Sequence, residues 1–107
     1  MRAKRIESRE KEILNGIVEI LKKYLDPERI ILFGSRTKEN FYKNADFDIA
    51  VDNKKVDIRK TRKIMEAIEE VAGLYSCDLV FLGSVEKDFR NIILNTGKVI
   101  YERGRKG

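Results

Sequence analysis

The sequence predicts an α+β fold, an α/β sandwich in which helices pack on a small mixed β-sheet. Two observations support this class. Apolar residues recur at helical spacing in three segments, whereas four shorter segments are continuously apolar or alternate as strands do. These elements follow one another as helix, strand, strand, helix, strand, helix, strand, an order typical of helices layered on a sheet. With 107 residues and one proline, the chain is expected to form one domain over residues 1–107.

Seven elements are expected, and in chain order they span residues 8–25, 29–33, 45–52, 57–74, 76–82, 85–95 and 99–101. The first helix has apolar residues at helical spacing, including Ile13 and Ile17. Ser8 is its expected N-cap, and Asp26-Pro27 ends it because the residue before a proline disfavours helical backbone. The next run is short and apolar, as a buried strand is. A polar segment over 35–43 follows, and we expect it to start with a helical turn.

The second strand and second helix are predicted from two different periodicities. Asp46 and Asp48 alternate with apolar residues, which is the pattern of a strand with two distinct faces. The following helix has an apolar stripe that includes Ile58, Ile64 and Ile68, and it is expected to end near Gly73.

The last three elements complete the sheet and one further helix. The third strand is apolar except for Asp78 near its start. In the helix that follows, Phe89, Ile92 and Ile93 are expected to face inward. The final short strand is expected at an edge of the sheet.

Composition excludes several kinds of chemistry. The chain has no histidine, which excludes Ser-His-Asp and Cys-His catalysis and His-ligated zinc. Cys77 is the only cysteine, so no internal disulfide can form, and its apolar surroundings favour a small buried residue over a reactive thiol. No window is long and apolar enough for a membrane span, and the charged N-terminus lacks the apolar core of a signal peptide. We therefore expect a cytoplasmic protein.

The net charge of +5 is not concentrated in one functional segment. Acidic and basic residues are mixed along the chain, which is typical of solvated helix faces. Basic clusters lie at the two ends, and residues 1–7 and 103–107 are expected to be flexible. Direct nucleic-acid binding is not expected.

The most informative pattern joins Gly34-Ser35 to Asp46-Phe47-Asp48, with ten residues between Ser35 and Asp46. Residues two apart in a strand point to the same face, so Asp46 and Asp48 are expected to project side by side. Two neighbouring carboxylates repel unless a cation lies between them, and oxygen ligands suit Mg²⁺. The preceding turn can offer backbone N–H groups to a phosphate. The combination indicates nucleotide chemistry.

Asp78 is a third acid, in a strand where an isolated carboxylate is costly to bury. If this strand neighbours the strand of Asp46 and Asp48, three carboxylates converge. Such a triad can hold two Mg²⁺ ions for in-line displacement at phosphorus, and one acid can accept the proton of the attacking hydroxyl. Mn²⁺ is an alternative, because it also accepts carboxylates.

Simpler interpretations of these residues stay open. Gly34-Ser35 can be an ordinary strand-to-helix turn in which Ser35 is the N-cap. Asp46 and Asp48 can be surface residues of an edge strand. Asp78 can act as a cap or pair with a lysine.

Taken together, the motifs resemble the signature of the DNA polymerase β-type nucleotidyltransferases. The resemblance is carried by Phe33-Gly34-Ser35-Arg36, by Asp46-Phe47-Asp48 and by Asp78-Leu79-Val80. The chain is most similar to the smallest members of that superfamily, the minimal nucleotidyltransferases (MNT), and the likeness covers nearly the whole chain. It implies the polymerase β-type nucleotidyltransferase fold.

The resemblance also implies roles for individual residues. Gly34 and Ser35 would bind the β and γ phosphates of a nucleoside triphosphate, and Arg36 would lie beside them. The implied metal ligands are the three carboxylates, Asp46, Asp48 and Asp78. Asp78 would also help to deprotonate the acceptor hydroxyl. The implied reaction is the transfer of AMP from ATP, with release of pyrophosphate.

Minimal nucleotidyltransferases pair with helical HEPN proteins as toxin–antitoxin systems, and the resemblance implies such a partner. In that case the chain is the antitoxin and transfers AMP to a tyrosine of the toxin. Two alternatives stay open: a stand-alone nucleotidyltransferase for a small-molecule acceptor, and a non-catalytic module that binds a partner. A homo-oligomer also remains open.

Overall fold

The expected order of helices and strands is confirmed in the computed structural model, which describes residues 2–33 and 46–104, with side chains from residue 9 onward. The described helices are α1 (Arg2–Leu25), α2 (Ile58–Ala72) and α3 (Lys87–Thr96). The described strands are β1 (Arg29–Phe33), β2 (Phe47–Val51), β3 (Cys77–Phe81) and β4 (Lys98–Glu102). A 3₁₀ turn, Leu82–Ser84, follows β3.

The four strands form one mixed sheet in the order β3-β2-β1-β4. β1 is antiparallel to both β2 and β4, whereas β2 and β3 are parallel and are connected through α2. This arrangement confirms the predicted α+β class, and β4 lies at an edge as expected. β2 lies inside the sheet, so the interpretation of Asp46 and Asp48 as residues of an edge strand is wrong.

The two faces of the sheet are covered by different helices. Side chains of β2 at Phe47, Ile49 and Val51 pack in one cluster with buried residues of α1 and α2. Ala50, on the opposite face, packs in a second cluster with Ile93 of α3. The alternation of β2 therefore places Asp48 on the face that α3 covers in part.

Helix α1 begins earlier than predicted. It starts at Arg2, so Ser8 lies inside the helix and the prediction of an N-cap at Ser8 is wrong. The residues before Ser8 include alanine, lysine, arginine and glutamate, whose helix propensity is high enough to extend the helix. Its end is as expected, because Asp26 has a left-handed φ of 48° and its N–H bonds back to the carbonyl of Leu21 at 3.2 Å. Among the described residues, no helix is long and apolar enough to cross a membrane.

Four apolar residues expected to face inward are exposed instead. In α2, Ile58 is 72% exposed and Val71, predicted in the same apolar stripe, is 39% exposed. In α3, Phe89 and Ile92 are 41% and 57% exposed, whereas Ile93 is buried as expected. Ile58 is the first residue of α2, ahead of the turns that contact the core. In α3, a helix of ten residues against one part of the sheet, Ile93 alone is buried. Phe89 keeps an edge-on contact with Phe33, with ring centroids 6.3 Å apart.

Candidate active site

The sheet brings the two acidic strands side by side. Asp48 of β2 and Asp78 of β3 are register partners in the parallel pair. On its other side, Asp48 is the register partner of Phe33, the last residue of β1. Paired residues of neighbouring strands point to the same face, so the structure places Asp48 and Asp78 together. The condition set by the sequence for convergence, that the two strands be neighbours, is met.

The three carboxylates differ in their exposure to solvent. Asp48 is 1% exposed and is the only charged residue that is buried among those described. Asp46 and Asp78 are both exposed. Burying a carboxylate carries a substantial desolvation cost, and a like charge on the neighbouring strand adds to it. A bound cation would offset both the desolvation cost and the repulsion. A buried carboxylate at this position therefore indicates a functional site.

Asp46 and Ser76 are joined by reciprocal hydrogen bonds just before β2 and β3 begin. The backbone N–H of Ser76 donates to Oδ2 of Asp46 at 3.0 Å. The backbone N–H of Asp46 donates to Oγ of Ser76 at 3.1 Å and to its carbonyl oxygen at 3.1 Å. The carbonyl of Ser76 also accepts from the N–H of Phe47 at 3.0 Å. These bonds fix the carboxylate of Asp46 relative to the start of β3.

Sequence reasoning missed Ser76, although a signal was present. Ser76 precedes Asp78 by two residues, just as Asp46 precedes Asp48. The alternation of strands therefore predicts that all four side chains share one face. A serine before a strand is so common a turn residue that the spacing by itself did not single it out.

The donor set fits Mg²⁺ by its chemistry. Three carboxylates supply the hard oxygen ligands that this ion requires. Within the ranges 9–33 and 46–104, no three His, Cys, Asp or Glu side chains are arranged closely enough to form a metal site on their own. Mg²⁺ commonly completes its coordination with water and substrate phosphates, so such a site does not need to be preassembled by protein ligands.

Cys77 lies between Asp48 and Asp78 in the sequence, and the charges of both residues affect the pKa of its thiol. Burial raises the pKa of its thiol from 9.0 to about 12, and the negative charges of Asp78 and Asp48 add to this effect. A thiol with this pKa is protonated at neutral pH, so it is neither a nucleophile nor a ready metal ligand. The interpretation of Cys77 as an unreactive residue is consistent with this environment.

A cavity of about 390 Å³ adjoins Asp46. Arg9, Leu74 and Tyr75 complete its lining, and Leu74 is fully exposed. Tyr75 packs on Phe47, with ring centroids 5.7 Å apart, so one wall of the cavity is held by the core. Its size is within the range of small-molecule sites.

The predicted nucleotide-binding residues Gly34, Ser35 and Arg36 lie outside the described residues, so their role stays a prediction. Phe33, the residue that precedes them in the chain, is the register partner of Asp48.

Comparison with known proteins identifies a family over most of the chain. The family model described as polymerase beta, nucleotidyltransferase matches residues 15–106, a range that contains Asp46, Asp48 and Asp78. No curated protein matches the chain significantly.

The chain also resembles a solved structure in its fold. That structure is described as the toxin–antitoxin MntA-HpeT in a double aspartate-to-glutamate mutant. One of its chains matches with a TM-score of 0.66 and 22% sequence identity, over 84% of this chain and 73% of the other. At this level of identity, the likeness shows a shared fold.

Proposed function

Because the chain belongs to the polymerase beta nucleotidyltransferase family, we propose that it transfers AMP from ATP to a hydroxyl group with the help of Mg²⁺. The acceptor we propose is a tyrosine of a helical HEPN-type toxin, for which this chain is the antitoxin. The observation that carries the proposal is the register pairing of Asp48 with Asp78, which brings acidic residues of β2 and β3 to one face of the sheet. Mg²⁺ binding, ATP and the tyrosine acceptor are parts of the proposal.

The three carboxylates share one role in this reaction, and Asp78 has a second. The residues that would hold the metal ion are Asp46, Asp48 and Asp78. When bound, the ion neutralises phosphate charge and activates the attacking oxygen. The exposure of Asp78 leaves its carboxylate accessible to an incoming hydroxyl group, whose proton it would accept. The oxygen of that hydroxyl then bonds to the α-phosphorus as pyrophosphate leaves.

Asp48 would supply a fixed negative charge at the base of the site. Asp48 is buried, and its strand β2 lies between β1 and β3. The position of Asp48 is therefore set by the sheet rather than by a loop. A preorganised ligand of this kind costs little reorganisation when the substrate binds.

Two points support the antitoxin role. The fold is shared with a chain of a toxin–antitoxin structure. In that mutant, the two replaced aspartates are two positions apart, which is also the spacing of Asp46 and Asp48. We infer that the two acidic pairs correspond.

An AMP-transfer assay tests the proposal. The chain would be incubated with Mg²⁺, ATP labelled at the α-phosphorus and the product of the neighbouring gene. We expect label on a tyrosine of the partner, and loss of that label in Asp46→Asn/Asp48→Asn. Asp52→Asn is the matched control, because Asp52 directly follows β2, at the end opposite Asp46, and its Oδ1 accepts from the backbone N–H of Glu28 at 2.9 Å. Equal transfer by the double variant and the wild type would contradict the proposal.

A further inference from the structure

We propose that Ser76 is a positioning residue that presents Asp46 to the catalytic metal ion, an inference that rests on the proposed function. Asp46 needs such a partner because it precedes the first residue of β2 and is exposed to solvent. A side chain in that position has many rotamers open to it, whereas a metal ligand must be held in one orientation.

Ser76 holds Asp46 through its backbone and through its hydroxyl group. Its backbone N–H donates to Oδ2 of Asp46 at 3.0 Å, which anchors one oxygen of the carboxylate. Its Oγ and carbonyl oxygen both accept from the N–H of Asp46, each at 3.1 Å, which fixes the backbone from which the carboxylate projects. Either oxygen of the held carboxylate can bind a cation, since an oxygen that accepts one hydrogen bond keeps a further lone pair.

The contact also sets the spacing between the two acidic strands. Ser76 lies two residues before Asp78, and Asp46 lies two residues before Asp48. The Asp46–Ser76 bonds therefore join the two chain segments one residue before the first register pair of β2 and β3, Phe47 with Cys77. We infer that this contact keeps Asp46 in place relative to the paired strands that carry Asp48 and Asp78.

The hydroxyl group is the part of Ser76 that mutagenesis can remove cleanly. Ser76→Ala keeps the backbone N–H and carbonyl but deletes the acceptor Oγ, whereas Ser76→Thr retains an Oγ. Ser84→Ala is the matched control, because Oγ of Ser84 accepts from the N–H of Lys55 at 2.8 Å, the same kind of bond in a different part of the molecule.

Binding of Mn²⁺, followed by loss of its free-ion EPR signal, provides a readout that does not depend on turnover. Titrations would be made with Mn²⁺ alone and with a non-hydrolysable ATP analogue present. We expect Ser76→Ala to weaken Mn²⁺ binding about 10-fold, the lower end of the effects seen when partners of metal ligands are removed. Ser76→Thr is expected to restore binding, and Ser84→Ala to leave it unchanged.

The outcomes separate this inference from the proposed function. Wild-type Mn²⁺ affinity in Ser76→Ala, with affinity lost in Asp46→Ala, would overturn the positioning role alone. Equal loss in Ser76→Ala and Ser84→Ala would also overturn it, since the effect would then follow from general destabilisation. No Mn²⁺ binding by the wild type with the analogue present, or full AMP transfer by Asp46→Ala, would overturn the proposed function as well.

Discussion

Asp48 and Asp78 are register partners on adjacent parallel strands, and the first is buried while the second is exposed. This pairing places two like charges on neighbouring strands. The desolvation cost is larger for Asp48 than for Asp78, because Asp48 is only 1% exposed.

Neutralising Asp48 is therefore expected to stabilise the metal-free protein while abolishing transfer. Asp48→Asn keeps the shape of the side chain but removes the buried charge and its repulsion by Asp78. We expect the free energy of unfolding in EDTA to rise by about 1 kcal/mol. Urea denaturation measures it, and Asp78→Asn, at an exposed position, should change stability less. A less stable Asp48→Asn would show that the charge is well compensated within the folded chain.

Cys77 is expected to make stability fall at high pH. Burial, with Asp78 and Asp48, raises its pKa in the folded state to about 12, from 9.0. Above pH 9 the unfolded thiol loses its proton first, which favours unfolding until the folded thiol also ionises near pH 12. The full effect is at most about 4 kcal/mol.

The measurement compares urea denaturation of the wild type and Cys77→Ala between pH 8 and about pH 11, a window set by that pKa shift. The difference between the two curves gives the contribution of the thiol to the free energy of unfolding, because the lysine and tyrosine residues that titrate in the same range are present in both proteins. Parallel curves would mean that Cys77 ionises normally in the folded protein.

Asp57 is expected to stabilise α2 as its N-cap. Its Oδ1 accepts from the backbone N–H of Lys60 at 2.8 Å. Asp57→Ala should lower the free energy of unfolding by about 1 kcal/mol, and Asp57→Asn, which can still cap, by much less. Thermal denaturation distinguishes the two variants, and equal losses would assign the effect to charge rather than to capping.

Gly97 is expected to tolerate no side chain, because α3 and β1 approach each other closely there. A Cβ at this position would overlap Cγ2 of Ile31 and lie 2.7 Å from the carbonyl oxygen of Ile93. Gly97→Ala should cost about 1–3 kcal/mol through overpacking. Gly104→Ala is a useful contrast: it meets no atom within 4 Å, so any loss there comes from its positive φ of 79°. Wild-type stability of Gly97→Ala would show that α3 shifts freely.

The order of elements and the acidic pair could be predicted because both follow from local periodicity. Asp46 and Asp48 share a face in any strand, whatever its neighbours. The adjacency of Asp48 and Asp78 could only be stated as a condition, since strand order depends on long-range packing. Ser76 went unrecognised for the same reason: its role depends on a residue thirty positions away.

The wrong predictions from the sequence also arose because they used local patterns alone. The start of α1 was misplaced because Ser8 has the residue type of an N-cap, while the propensity of the preceding residues extends the helix. Phe89 and Ile92 were assigned to the core from helical spacing alone. That spacing identifies an apolar stripe but not how much of it a small sheet can cover.

The most direct test of the central claim asks which phosphorus of ATP is transferred. Parallel reactions would use ATP labelled at the α- or at the γ-phosphorus, with Mg²⁺ and the partner protein, for the wild type and Asp46→Asn/Asp48→Asn. Nucleotidyl transfer predicts α-label on the partner, γ-label only in released pyrophosphate, and neither product from the double variant. Transfer of the γ-label, or α-label that does not depend on Asp46 and Asp48, would contradict the account.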